Sequence, residues 1–163
     1  MPGRSVSFGV FVALLVFTHL LLHVAFGFGR LAPDFMAVAV LLTARRSTPW
    51  RAAVLGLGLG LLADGLAVQS FGATAVALVV VGWAGARTRD LFEGASLAFT
   101  LAYLFIGKWL ADAVYLLISP PARAAAVKGA LVTALPLYAL VTAVAGVLAL
   151  AAYRLSVGGR YAR

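Results

Sequence analysis

A chain of 163 residues with 64% hydrophobic and 11% charged residues lies outside the range of soluble domains, which are about 45–50% apolar and about 25% charged. Its thirteen basic and five acidic residues are too few to cover a soluble surface, and a mean hydropathy of +1.06 indicates that lipid surrounds most of the chain. The composition therefore excludes a soluble enzyme, a disordered segment and a peripheral protein with a single anchor.

The net charge of +8 does not indicate a nucleic-acid partner. Nucleic-acid-binding domains cluster their basic residues on one face or along one helix. Here the basic residues occur singly or in twos and threes between apolar runs, which is typical of loop charges that orient a protein in a membrane. The chain also contains no cysteine, which excludes disulfides, thiolate catalysis and Cys-ligated metals.

The apolar runs predict one all-α domain with six transmembrane helices. The first and last runs, Ser5–Gly29 and Gly129–Tyr153, are each 25 residues without a formal charge. At about 1.5 Å per residue, either run crosses a hydrocarbon core of about 30 Å. The first run is too long for a signal peptide and lacks an Ala-x-Ala cleavage site. The predicted spans are 6–29, 31–46, 50–68, 71–87, 94–118 and 129–153.

The loop charges predict the orientation of these spans. With the N-terminus inside, nine basic residues fall on the inner side and three on the outer side, which satisfies the positive-inside rule. A five-span arrangement would place the three C-terminal arginines outside. We therefore predict six spans with both ends in the cytoplasm. The inner residues are Arg4, Arg45, Arg46, Arg51, Arg87, Arg89, Arg154, Arg160 and Arg163, and the outer ones are Arg30, Arg123 and Lys128.

Among the charged residues of the predicted spans, three are expected to be costly: Asp64, Lys108 and Asp112. Each costs about 2.5–3.5 kcal/mol at the centre of a membrane helix, so each is a functional candidate. Lys108 and Asp112 are four residues apart on one helix face, and mutual neutralisation is the favoured interpretation. A proton relay, which needs a longer chain of such groups, and an ion-conducting oligomer are the weaker alternatives.

A face of small residues on the third predicted helix ends at Asp64. Gly56, Gly60 and Asp64 repeat every four residues on the third predicted helix, a spacing that lets two helix backbones approach closely. Packing within the chain is the favoured interpretation, and contact with a partner protein through this face is the alternative. The Asp64 carboxylate lies just before a turn, where it is placed to cap the N-terminus of a neighbouring helix. Gly72, eight residues later, begins the fourth helix.

The remaining candidates indicate no chemistry. His19 and His23 have a spacing that can ligate a metal, but no third ligand accompanies them, so we predict polar contacts between helices and no metal. Pro136 is expected to bend the sixth helix. The sequence contains no nucleophile elbow and no HExxH motif. The glycines from Gly56 to Gly60 are not a phosphate loop, because they lack the lysine and the strand that a nucleotide loop requires. We expect no catalytic residues, no cofactor and no enzymatic activity.

Several of these residues also belong to one longer pattern. It consists of Pro33 and Asp34 before an apolar run that ends in Arg45 and Arg46, then Gly56, Gly60, Asp64 and Gly72, with Asp112 and Pro136 further along. This pattern resembles the rod shape-determining protein MreD family. The resemblance covers nearly the whole chain, but its specific part runs from Pro33 to Gly72.

The resemblance implies a non-catalytic, multi-pass protein of the bacterial inner membrane that binds the bitopic protein MreC. It further implies a role beside MreB, RodZ, the polymerase RodA and the transpeptidase PBP2 in the complex that maintains cell shape and inserts peptidoglycan along the lateral wall. The family's fold is similar to the substrate-binding S-components of energy-coupling-factor vitamin transporters. A substrate-binding subunit of such a transporter is therefore the alternative function.

Overall fold

The computed structural model describes residues 2–25, 32–66, 71–92, 96–118 and 134–158. These residues form six helices and no strand, as the predicted all-α class requires. The helices are α1 (Pro2–Leu20, followed by one π-helical turn, Leu21–Ala25), α2 (Phe35–Ala44), α3 (Pro49–Leu66), α4 (Ala73–Thr88, followed by a 3-10 turn, Arg89–Phe92), α5 (Leu97–Ile118) and α6 (Leu135–Gly158).

Among the described residues, three segments are long and apolar enough to cross a membrane: Val6–His23 of α1 and the turn that follows it, Leu97–Ile118 of α5 and Leu135–Val157 of α6. The predicted span over 31–46 is shorter than expected, because α2 contains ten residues. A helix of that length is about 15 Å long, roughly half of the hydrocarbon thickness. It begins at the cap that Asp34 provides and ends at Arg45.

The short helix α2 is the centre of the bundle. It contacts each of the other five helices, and its residues from Met36 to Leu42 are at most 4% exposed. A helix that is apolar on every side is stable only when other elements surround it. Val38 and Leu41 pack with Tyr103 and Leu104 of α5 in the main apolar cluster.

Glycines hold α3 and α4 together as an antiparallel pair. A Cβ atom added at Gly56 would overlap the backbone carbonyl of Leu78, and one added at Gly60 would overlap the backbone of Ala75. The two backbones therefore touch without intervening side chains, as small residues at this spacing permit. The predicted glycine face is thus buried within the chain.

The antiparallel order of the helices places most of the described basic residues at one end of the bundle. Arg45 at the end of α2 donates to Thr100 Oγ1 at the start of α5 over 2.9 Å. The rings of Phe11 and Tyr153 stack at 4.6 Å, which joins the start of α1 to the end of α6. We call this the arginine end, and its members are Arg45, Arg46, Arg51, Arg87, Arg89 and Arg154.

The contact between α3 and α4 predicts that an added methyl group has different effects on stability at two glycines of α3. Gly60→Ala should lower the free energy of unfolding by about 1–3 kcal/mol, because the added methyl group overpacks the interface. Gly58 has no atom within 4 Å of an added Cβ. Gly58→Ala should therefore be neutral, or stabilising by up to about 1 kcal/mol through helix propensity. Thermal unfolding in detergent checks both variants, and equal midpoints would contradict the packing.

Candidate functional site

A partly buried ion cluster lies around Lys108 of α5, in the half of the bundle away from the arginine end. The Nζ atom of Lys108 donates to Asp34 Oδ2 and to Asp112 Oδ1, each over 2.7 Å. Lys108 is only 9% exposed. Asp112 is the partner that the four-residue spacing indicates. Asp34 lies 74 residues away in sequence, so no helical spacing connects it with Lys108.

Asp34 also organises the start of α2. Its Oδ1 accepts a hydrogen bond from the backbone N–H of Ala37 over 3.1 Å, the arrangement of an N-cap, and an anion is favourable at this end of a helix. Its own N–H donates to Thr142 Oγ1 of α6 over 3.1 Å. Pro33 precedes the cap, and its carbonyl accepts from the N–H of Phe35 over 3.1 Å. One aspartate therefore joins α2, α5 and α6.

Two histidines of the first helix complete the polar group. The rings of His19 and His23 stack at 4.0 Å, and His23 Nδ1 donates to the carbonyl of His19 over 3.1 Å. His19 Nδ1 lies 3.4 Å from Asp34 Oδ1, within ion-pair distance but without hydrogen-bond geometry. No group of three His, Cys, Asp or Glu suited to a metal occurs among the described residues.

The ion cluster and both histidines line a cavity of about 440 Å³. Every helix contributes to its wall, and each does so with the half that lies away from the arginine end. Apolar side chains such as Leu20, Leu66 and Leu116 form much of the wall. The volume falls within the range of about 300–1,000 Å³ that small-molecule sites occupy.

An apolar layer separates this cavity from the arginine end. Val38 and Leu41 of α2 and Leu104 of α5 are each at most 1% exposed. The hydroxyl of Tyr103 donates to the carbonyl of Leu41 over 3.1 Å, so it is occupied within the core. The packing of this layer gives no support to conduction through one copy of the chain.

Asp64 forms a second buried anchor. It is 3% exposed, and its Oδ2 accepts from the N–H groups of Gly72 over 2.9 Å and Ala75 over 3.0 Å. Its Oδ1 accepts from the N–H of Thr74 over 3.2 Å. Gly72 has a φ of 93°, in the left-handed region where glycine carries no steric penalty. The carboxylate therefore caps α4 from the neighbouring helix.

The predicted residues thus form two separate groups rather than one site. Asp34, Lys108 and Asp112 meet at the cavity, whereas Gly56, Gly60, Asp64 and Gly72 join α3 to α4. Pro136 lies in the first turn of α6, and residues 119–133, which precede it, lie outside the described part of the chain. The bend expected at Pro136 stays a prediction.

No protein-family model, curated protein or solved structure matches the chain.

The ion cluster predicts a large effect at Lys108. Lys108→Met leaves two partly buried carboxylates without their shared cation. Removing one partner of a fully buried ion pair costs about 3–5 kcal/mol, which is the upper bound for this loss. The triple variant Asp34→Asn, Lys108→Met, Asp112→Asn removes all three charges and should recover part of that loss. Unfolding in detergent measures both free energies. A single variant as stable as the unsubstituted protein would contradict a buried network.

Proposed function

We propose that the chain is a multi-pass protein of the bacterial cytoplasmic membrane, with all six helices embedded and both ends in the cytoplasm. Three apolar helices of spanning length support this proposal. So do the large apolar side chains on outward faces, such as Leu14, Phe17 and Leu148, and the arginines gathered at one end, which the positive-inside rule places in the cytoplasm. The short helix α2 is embedded because five helices surround it.

The absence of cysteine from the sequence makes this topology directly testable. Asp90→Cys introduces an exposed thiol at the arginine end, and Phe71→Cys introduces one at the opposite end. A maleimide that does not cross membranes should label Phe71→Cys in intact spheroplasts, and Asp90→Cys only after the membrane is disrupted. The reverse labelling pattern would invert the proposed orientation, and labelling of both thiols in intact cells would contradict the embedded bundle.

We further propose a non-catalytic role as a partner-binding component of the cell-elongation complex, with direct binding to MreC and with MreB, RodZ, RodA and PBP2 in the wider assembly. One observation carries this proposal. Several of the residues through which the sequence resembles the MreD family hold the bundle together: Asp34 and Asp112 bind Lys108, and Asp64 caps α4. A rigid framework of this kind suits a scaffold.

The buried glycine face changes where a partner helix is expected to bind. Because Gly56 and Gly60 face α4, they are not free to contact a second protein. Gly58 and Gly65 lie on the exposed side of the same helix, with open space around an added Cβ. They are two helical turns apart, and glycines on a membrane-facing surface allow a bitopic helix to approach closely.

Affinity purification from native membranes, followed by mass spectrometry, tests this role. We expect MreC to co-purify with the unsubstituted chain. Gly58→Leu and Gly65→Leu should each reduce its recovery several-fold without lowering the unfolding midpoint. Gly9→Leu is the matched control, because Gly9 is an equally open glycine on α1 and its substitution should leave recovery unchanged. Failure to recover MreC with the unsubstituted chain would overturn the proposed function.

A transporter subunit that binds a small molecule is the second candidate, and the cavity beside Lys108 is the observation that favours it. The same purification separates the two candidates, because such a subunit should recover ATPase subunits in place of MreC. Native mass spectrometry of the purified protein should then also detect a bound small molecule. Recovery of MreC without either of these would argue against the transporter.

A further inference from the structure

The arginine end carries two exposed indole side chains next to exposed arginines. Trp50 of α3 is 75% exposed and Trp83 of α4 is 49% exposed. The guanidinium of Arg87 lies over the Trp83 ring, 5.2 Å from its centroid, and Arg51 follows Trp50 directly in the sequence. Indoles favour the level of the lipid headgroups, where one edge of the ring is hydrated and the rest is in an apolar environment.

The packing of α3 on α4 places the two Trp-Arg pairs at the same level of the arginine end. A Cβ atom added at Gly82 would lie 2.6 Å from the carbonyl oxygen of Ala52, so the two backbones touch at this level. Arg51 precedes Ala52 on one helix, and Trp83 follows Gly82 on the other. We call the four residues Trp50, Arg51, Trp83 and Arg87 the Trp-Arg patch.

The arginines of the patch have no acidic partner among the described residues. Both Arg51 and Arg87 are exposed, and neither forms a described ion pair with a carboxylate. The one described carboxylate at this end, Asp90, contacts Arg89 at 3.4 Å. The patch is therefore positively charged, open to the surroundings and bordered by apolar rings, which fits a ligand with an anionic head and an apolar body.

We propose that the Trp-Arg patch binds the phosphate headgroup of an anionic phospholipid such as phosphatidylglycerol. A guanidinium offers paired N–H donors that match phosphate oxygens, while Trp50 and Trp83 lie against the glycerol backbone and the first part of the acyl chains. A basic residue near a membrane surface strengthens attraction to anionic lipid by about fivefold, the equivalent of about 1 kcal/mol. The proposal is independent of which protein partner the chain binds.

The tryptophans of the patch are themselves the reporters for the experiment. The chain has three tryptophans, so Trp109→Phe leaves only Trp50 and Trp83. In bilayers of phosphatidylcholine, brominated phosphatidylglycerol is titrated in, and its quenching of tryptophan fluorescence is compared with that of brominated phosphatidylcholine. We expect a preference for the anionic lipid that falls by about fivefold for each of Arg51→Gln and Arg87→Gln. Equal quenching by the two lipids would overturn the proposal.

A charge-matched control separates a local site from the general positive field of the arginine end. The double variant Arg46→Gln, Arg154→Gln removes the same charge from this end, but from α2 and α6, and should lower the anionic preference clearly less than the double variant Arg51→Gln, Arg87→Gln. If it loses as much preference as Arg51→Gln, Arg87→Gln, the local site is wrong.

Inorganic phosphate should compete no better than chloride at equal ionic strength, and stronger competition would assign the patch to free phosphate instead of lipid. Far-UV circular dichroism confirms folding, and the single variants repeat the test with one substitution each.

Discussion

The start of α2 inside the bundle is the constraint on which the rest of the structure depends. A helix that begins inside an apolar bundle has backbone N–H groups that its apolar neighbours cannot satisfy. Asp34 accepts from one of them, but a carboxylate in that environment is costly without a cation. Lys108 supplies the cation, and Asp112 accepts from the same ammonium. The free N–H group is therefore stabilised by Asp34, and the Asp34 carboxylate by Lys108, which fixes the relative positions of α2 and α5. The Asp34 N–H also donates to Thr142, which holds α6 in the same arrangement.

The same physical problem is solved differently at the start of α4. Gly72 has no side chain to cap the helix. The carboxylate of Asp64 on α3 caps it instead, by accepting hydrogen bonds from three backbone N–H groups. That bond geometry requires the two helices to lie close together, which the glycines at Gly56 and Gly60 permit. The cap on α4 therefore depends on the close packing of α3 and α4. Both helix starts adjoin the cavity, to which Asp34 and Thr74 contribute.

Three surfaces in the described part of the protein are available for function. The outward side of α3 carries the open glycines Gly58 and Gly65, where we propose that a partner helix binds. The cavity presents a polar group formed around Lys108, and the arginine end presents exposed indoles and guanidinium groups. These surfaces are distinct in place and in chemistry, so the lipid proposal does not depend on the choice between the protein-binding and the small-molecule proposals. The buried glycine face, which has the strongest sequence pattern, is the one that its own chain occupies.

The sequence by itself determined the features that depend on neighbours along the chain. Helical class, the three long apolar helices and the pairing of Lys108 with Asp112 all follow from local composition and from the period of the helix, because residues four apart share a face. The Gly56, Gly60 and Asp64 face was visible for the same reason, although its partner helix was not. Only the tertiary structure decided that Asp34 binds Lys108, that α2 is short and central, and that a cavity lies beside them. Those features depend on how helices distant in sequence pack, which no local period encodes.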